Sequence, residues 1–435
     1  MARALDDPLV LKSATLADGR VRDVYVANGL ISAVTSPEAQ PPDNLNYVNV
    51  DLAGLVLLPA AAEPHAHLDK ALLADRAPNP SGDLDGAIEA IQECYPFMSR
   101  TDIGQRAFAA VMAAAAKGFT AVRTHADCGP RMGTRSIEAL IGLRESLRDV
   151  IDVQVVALAE TDLTGATGRI NRQILAAAVA AGADLVGGCP SLDKNPHAAV
   201  NELLAIARHA GCGVDLHVDE TTDRDTLALR HIVDLVTSTG FDLPVTASHC
   251  VSLGMQDPTV ARELSAALAA AHIAVVALPQ TNLYLQGRST STCKPRGLTA
   301  IEDLIAAGVL VAAGGDNWRD PFNPMGRIDP LETASLLVTA GHLTPEAAYT
   351  CISNHARAVM GLPEVRLEPG FPADLLAIRG SSLADAVGGA SEHRVVLRAG
   401  RILARTKVHH EWNRQLLRAA CGTSSATTSP AHRTT

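Results

Sequence analysis

The run Gly213–Val218, GVDLHV, is a largely apolar stretch with a histidine next to its end, and six more short apolar runs recur around it. They are FTAVRTH (119–125), VQVVALAE (153–160), ADLVGG (183–188), PVTASH (244–249), IAVVALP (273–279) and VLVAAGG (309–315). An Ala/Leu-rich stretch with helical periodicity precedes each one. A strand every few tens of residues with a helix between is the pattern of parallel βα units. Counting LVLLPA (55–60) as the first, the runs predict about eight strands, hence a (β/α)8 TIM-type barrel over residues 60–362.

Residues 1–59 read differently. LVLKSATL, RVRDVYVANG, ISAVTS and YVNVDLAGLVLLP are short β-type runs divided by Gly, Asn and Pro, which predicts small antiparallel strands. After residue 362 the chain returns to such runs in ADLLAIRG and HRVVLRAGRILART. The simplest arrangement is a small β-sandwich domain built from both chain ends, residues 1–59 and 363–412, flanking the barrel. Residues 413–435 form a C-terminal tail whose Ser/Thr-rich end, 421–435, is expected to be disordered. Thr299–Glu302 (TAIE) can form a capping box, and Thr344-Pro345 places a cap before a first-turn proline.

With 47% hydrophobic and 19% charged residues, the 435-residue chain can bury a large core and is not a disordered linker. A net charge of -10 disfavours binding to a polyanion, so no nucleic-acid partner is expected. The apolar runs 108–116 and 305–315 are too short to span a bilayer, and MARALDDPLV has no long apolar core of a signal. No membrane partner is expected, and the location is read as cytoplasmic. The eight cysteines include no CxxC pair, which points to reduced thiols and away from a disulfide framework or a thiolate zinc site. Any metal must then be held by imidazoles and carboxylates.

Chemistry in such a barrel sits at the carboxyl ends of the strands. Four clusters fall there: His65-Ala66-His67, His217, His249 and Asp316. The period of two in His65 and His67 puts both imidazoles on one face of an extended segment. One histidine at a strand end is ordinarily structural, but several at the same end of one barrel suggest a metal centre. Neutral imidazoles with one carboxylate suit zinc or iron(II), leaving an open position for water whose pKa falls from 15.7 toward about 7.

The phrases EPHAHLDK (63–70), AVRTHAD (121–127), DLHVDE (215–220), VTASH (245–249), NLYLQGR (282–288) followed by PRG, and GGDNWRDPFNPMG (314–326) together resemble the amidohydrolase superfamily, and within it the cytosine deaminase group. The resemblance covers nearly the whole chain. It implies that His65, His67, His217 and Asp316 ligate one divalent ion per chain, that Glu220 shuttles protons and that His249 holds the attacking hydroxide. Glu220, three positions past His217, can take a proton from water and deliver it to a ring nitrogen, work worth roughly 10²- to 10⁴-fold. Asp316 can relay a proton to the departing amine, and His249 can stabilise oxyanion charge.

Three residues depart from the cytosine deaminase pattern. Where that group has glutamine in a phrase like VVAFPQ, this chain has VVALAE, placing Glu160 at the position that reads the substrate edge. A glutamate only accepts hydrogen bonds, so the facing edge should offer two donors or a positive charge. Asn317 follows the metal-binding aspartate where another acid is usual, and Lys70 replaces a small polar residue; Lys70 either reaches the substrate or pairs with Asp69 or another acid. Gln286 is expected along the substrate loop.

These readings predict a metal-dependent hydrolytic deaminase that releases ammonia from a small nitrogen heterocycle, cytosine-like or carrying a cyclic amidine or guanidine unit. The alternative is a mononuclear amidohydrolase cleaving an N-alkylamine or cyclic amide C–N bond. Binuclear relatives bridge two ions with a lysine after the fourth strand; here that strand ends in ADLVGGCP, and Lys194 comes too late. A non-catalytic scaffold disagrees with the complete ligand set, and the HxE…PCxxC signature of nucleic-acid deaminases is missing. Related enzymes are often oligomers, but no interface signature is legible.

Overall fold

The computed structural model describes residues 7–413. The tail expected to be disordered, and Cys421 with it, lie outside the described residues. Eight parallel strands form the barrel in chain order: β6 (Ala61–Ala66), β7 (Phe119–Cys128), β8 (Asp152–Ala159), β9 (Leu185–Gly187), β10 (Val214–Val218), β11 (Val245–His249), β12 (Ala274–Ala277) and β13 (Val311–Ala313). The ring closes where Ala66 bridges Asp316 in parallel and the Asp316 amide donates to the His65 carbonyl at 3.0 Å. A second, mixed eight-stranded sheet comes from both chain ends. It contains β1 (Leu9–Thr15), β2 (Val21–Ala27), β3 (Leu30–Thr35), β4 (Val48–Asp51), β5 (Leu55–Pro59), β14 (Leu375–Arg379), β15 (Arg394–Arg398) and β16 (Arg401–Thr406).

One sequence expectation needs correcting here. LVLLP is not the first barrel strand: it is β5, antiparallel to β14 with Leu57 opposite Ala377, and AAEPHA takes its place in the barrel. Pro59 and Ala60 mark the crossing. The small domain is one continuous mixed sheet, because β5 joins β14 to β1, and β1 pairs in parallel with both β4 and β5. Residues from both of its halves, including Leu11, Val26, Leu57, Leu375 and Leu397, pack into one apolar cluster of their own. Alternation along β5 sends Leu55 and Leu57 into that cluster, and Val56 and Leu58 into the barrel's.

Charged side chains tie the sheet to the barrel. Arg394 of β15 makes a paired contact with Asp329 (3.0 and 2.7 Å), both buried, and Arg398 reaches Asp152 at the start of β8 (2.8 Å). Thr344 does cap the helix Pro345–Ile352, accepting from the Ala347 amide at 3.2 Å. The capping box at Thr299 does not form: the helix Ile301–Ala306 begins at Ala300, and the Thr299 hydroxyl is buried with no partner. The seven described cysteines are all free thiols, although Cys293 is exposed rather than packed. Among the described residues, no helix is long and apolar enough to cross a membrane.

Candidate metal centre and substrate cavity

The carboxyl ends of β6, β10 and β11, the middle of β7 and the turn after β13 bring five imidazoles and one carboxylate together. His65, His67, His217, His249 and Asp316 stand where the sequence placed them, all buried. His65 Nε2 and His67 Nε2 lie 3.2 and 3.1 Å from His217 Nε2, and 3.6 and 3.2 Å from Asp316 Oδ1. Metal–ligand bonds of 2.0–2.1 Å in a tetrahedron separate the donor atoms by about 3.4 Å. These four distances lie near the spacing that a small divalent ion requires. Both Asp316 oxygens and His249 Nε2 have no hydrogen-bond partner among the described residues, an arrangement that buried polar atoms avoid unless a ligand completes them.

Protonation agrees. Burial, reinforced by neighbouring imidazoles, pushes His65 and His217 well below the usual histidine value; burial and the Lys70 charge take His67 down to about 3. The rings are therefore neutral at pH 7, the form that ligates. Two of the residues are held in left-handed backbone, His249 at φ +68° and Asp316 at φ +62°. Strain of this kind in non-glycine residues collects at functional sites.

Supporting groups hold the donors in place. Arg123 donates to Asp215 at 2.8 Å, the Ser248 hydroxyl donates to the other Asp215 oxygen at 2.9 Å, and His65 Nδ1 is 2.9 Å from the same hydroxyl. Since the serine proton goes to Asp215, its oxygen accepts from His65 Nδ1–H, which assigns the bare lone pair to Nε2. Glu63 fastens β6 to β13: its carboxylate accepts from the amides of His65 (3.1 Å) and Gly315 (2.8 Å), and burial lifts it to about 8. A Cβ at Gly314 would lie 2.0 Å from Glu63 Oε1, so only glycine fits there.

Sequence reasoning missed His125, although its motif was in view. It lies inside β7, fully buried, stacked on His65 at 3.9 Å between ring centres, with neither ring nitrogen hydrogen-bonded among the described residues and Nε2 3.6 Å from Asp215. Its ligand atom also lies close enough to those of His65 and His217 for the three to hold an ion.

Glu220 sits at the cavity wall with Oε1 3.4 Å from His249 Nδ1, and burial together with Asp316 raises its carboxyl well above the usual range. His249 Nδ1 is 3.0 Å from Asn282 Oδ1, which turns Nε2 toward Asp316, 3.9 Å away. Lys70 lines the cavity and pairs, as one of its two expected roles had it, with Asp127 (2.7 Å) and Asp69 (3.4 Å). Burial opposes its charge, and those two acids overcome it, so its pKa is raised. Asp127 also accepts from the Tyr95 hydroxyl at 2.7 Å, leaving neither of its oxygens free of a partner.

Glu160 lines the same cavity, and its Oε1 is buried without a hydrogen-bond partner among the described residues; burial and Asp127 raise its pKa. Asn317 lines it too, but its amide donates to Asp320 (2.8 Å) and its oxygen accepts from Thr281 (3.3 Å). Gln286 stands outside this cavity, donating at 3.0 Å to the backbone carbonyl of Glu220. Tyr95 and Phe322 bring two of the chain's few aromatic rings to the wall, beside Leu84, Ile88 and Ile91. Cys189 follows the fourth barrel strand, and Lys194 is 80% exposed and paired with Asp162.

The amidohydrolase family pattern matches residues 98–404. A pterin deaminase from Rhizobium rhizogenes is 34% identical over 389 residues, 88% of each chain. Of solved structures, 5-methylcytosine deaminase from Klebsiella pneumoniae, liganded with 5-fluorocytosine, superposes with a TM-score of 0.83 at 25% identity, covering 93% of this chain and 99% of that one. N-isopropylammelide isopropylaminohydrolase from Burkholderia multivorans does so with a TM-score of 0.79 at 29% identity, covering 92% and 98%. The chain belongs to the amidohydrolase family, whose members are metal-dependent hydrolases of carbon–nitrogen bonds.

Proposed function

We propose that the protein is a mononuclear hydrolytic deaminase that removes the exocyclic amino group of a nitrogen heterocycle and releases ammonia. The observation that carries this reading is the four-donor cradle of His65, His67, His217 and Asp316 with the Glu220 carboxyl at its rim. One zinc or iron(II) ion held there would supply a Lewis acid that acidifies water at neutral pH. Glu220 takes the proton that the attacking water gives up and hands it to the ring nitrogen beside the carbon under attack. His249, its ring fixed by Asn282, faces the reacting oxygen through Nε2, and Asp316 relays a proton to the leaving amine.

Specificity rests on Glu160. Its unpartnered oxygen is an acceptor facing the cavity, whereas the nearby Asp127 is already occupied by Tyr95 and Lys70. A ring edge with adjacent N–H donors, as in the 2-amino-4-oxo edge of a pterin, complements it, and cytosine does so less well. Lys70, Asn317 and Gln286 act chiefly by holding Asp127, the loop after Asp316 and Glu220, respectively. The similarity to an N-isopropylammelide hydrolase, together with the apolar wall of Leu84, Ile88 and Ile91, favours N-alkylamine cleavage as the second reading.

The test is metal-loaded protein assayed on cytosine, isoguanine, creatinine, pterin and triazines, with ammonia and alkylamine both measured. Ammonia is expected, fastest from the cyclic-guanidine rings; an alkylamine alone transfers the assignment to the second reading, and no product from any ring overturns both. Glu220→Gln should lower turnover roughly 10²- to 10⁴-fold while metal stays near one equivalent per chain.

A further inference from the structure

A second groove opens beside the cavity, and Leu84, Cys189, Leu192, His217 and Glu220 line both. The two differ in chemistry. Beyond Glu220 the cavity wall is apolar at Ile88, Ile91 and Phe322, whereas the groove presents Ser191, Thr222, Ser289, Arg288 and the carboxylates of Asp83 and Asp85. The Ser191, Thr222 and Ser289 hydroxyls have no hydrogen-bond partner among the described residues.

Arg288, exposed at the groove, is held in place by Tyr284. Its Nε donates to the Tyr284 carbonyl at 2.8 Å and its guanidinium lies 4.4 Å over the Tyr284 ring. The two terminal nitrogens make no hydrogen bond among the described residues. Gly82, at φ +71°, makes room for them, since a Cβ there would come within 2.9 Å of the guanidinium carbon. Next to Gly82, Asp83 Oδ1 is taken by the Gly86 amide (2.9 Å) and Ser81 (2.7 Å), and Asp85 adds a second negative charge. Two carboxylates against one guanidinium repel an anionic group. Fixed donors and acceptors side by side suit a neutral group that can both give and accept hydrogen bonds.

Resting on the deaminase reading, we propose that this groove is a second substrate subsite. It binds a short hydroxylated side chain that the ring carries away from its reacting carbon. Ring and chain then lie on either side of Glu220, and binding of the chain holds the ring over the metal centre.

The test compares three substrates that share the ring found to release ammonia: the bare ring, the ring with a two- or three-carbon hydroxylated chain, and the ring with a carboxylate on a chain of equal length. The hydroxylated substrate is expected to exceed the bare ring about tenfold in kcat/KM, through KM, as one or two hydrogen bonds to charged groups would give. The carboxylated one should show no gain. Arg288→Ala and Thr222→Val should each reduce the ratio of hydroxylated to bare kcat/KM toward one, a ratio that partial loss of folded enzyme leaves untouched. Equal kcat/KM for bare and hydroxylated rings overturns the subsite and leaves the deaminase reading standing. An equal gain from the carboxylate overturns the choice of ligand, and no ammonia from any ring overturns the deaminase reading and the subsite with it.

Discussion

Replacing Ser248 by alanine should weaken metal binding far more than it weakens the fold. The hydroxyl is the third member of the chain Arg123–Asp215–Ser248–His65, with successive contacts of 2.8, 2.9 and 2.9 Å. Without it, His65 Nδ1–H loses its acceptor, and the ring is no longer held as the tautomer with Nε2 bare. The next acceptor, Asp215 Oδ1, lies 3.9 Å from Nδ1, beyond hydrogen-bond reach. Loss of such a supporting partner typically costs 10- to 100-fold in metal affinity, about 1.4–2.8 kcal/mol. Asp215 keeps Arg123, so the fold should lose only about 1 kcal/mol. Asp215→Asn reverses the order: the buried Arg123 charge is left uncompensated, which costs about 3–5 kcal/mol of stability. Competition with a chelator of known affinity, alongside urea denaturation of both variants, separates the two effects. If Ser248→Ala bound zinc within twofold of the parent, the relay would have no hold on His65.

Gly314→Ala should displace the Glu63 carboxylate from the amides of His65 and Gly315, lowering stability by about 2 kcal/mol or more in urea denaturation; an unchanged midpoint would refute the packing. Arg394→Met strands the buried Asp329 carboxylate between sheet and barrel and should cost about 3–5 kcal/mol, and a loss below about 1 would show the pair to be dispensable. Burial, against hydrogen bonds from Asn317 and the Phe322 amide, lifts the Asp320 carboxyl to about 7. The folded chain keeps that proton to a higher pH than the unfolded chain, where the value is about 4. The group's contribution is therefore present below about pH 4 and lost as pH rises through about 7. Asp320→Asn should flatten the fall of Tm between pH 5 and 8, and an equal slope in the variant would assign that fall to other groups.

What the sequence made legible was whatever repeats or ends a run. The barrel could be read because each strand is an apolar stretch closed by turn residues, and the candidate site because His217, His249 and Asp316 each stand at or just beside the end of one. The crossing from sheet to barrel was not, since LVLLP and AAEPHA form one unbroken apolar stretch, and only the pairing of Leu57 with Ala377 divides it. His125 was overlooked for a related reason: its strand runs on through Ala126 to Cys128, so the histidine ends nothing.

Ser248 and Asp215 carry no signal at all along the chain. They sit one and two residues before ligating or catalytic histidines, as any strand residue might, and their role appears only because β10 and β11 pair with His217 opposite Ser248. Register makes the relay: Asp215 and Ser248 come from different strands and meet His65 from a third, separated by 183 residues from Ser248. The same reasoning separates Glu160 from Asn317. Both depart from the expected pattern in sequence, yet the turn after β13 consumes the Asn317 amide on Asp320, while nothing at the end of β8 consumes Glu160 Oε1. An unusual residue whose hydrogen bonds are satisfied inside its own loop shapes the wall; one whose acceptor is left open faces the ligand, and Glu160 is therefore where exchange for glutamine should move substrate preference toward cytosine.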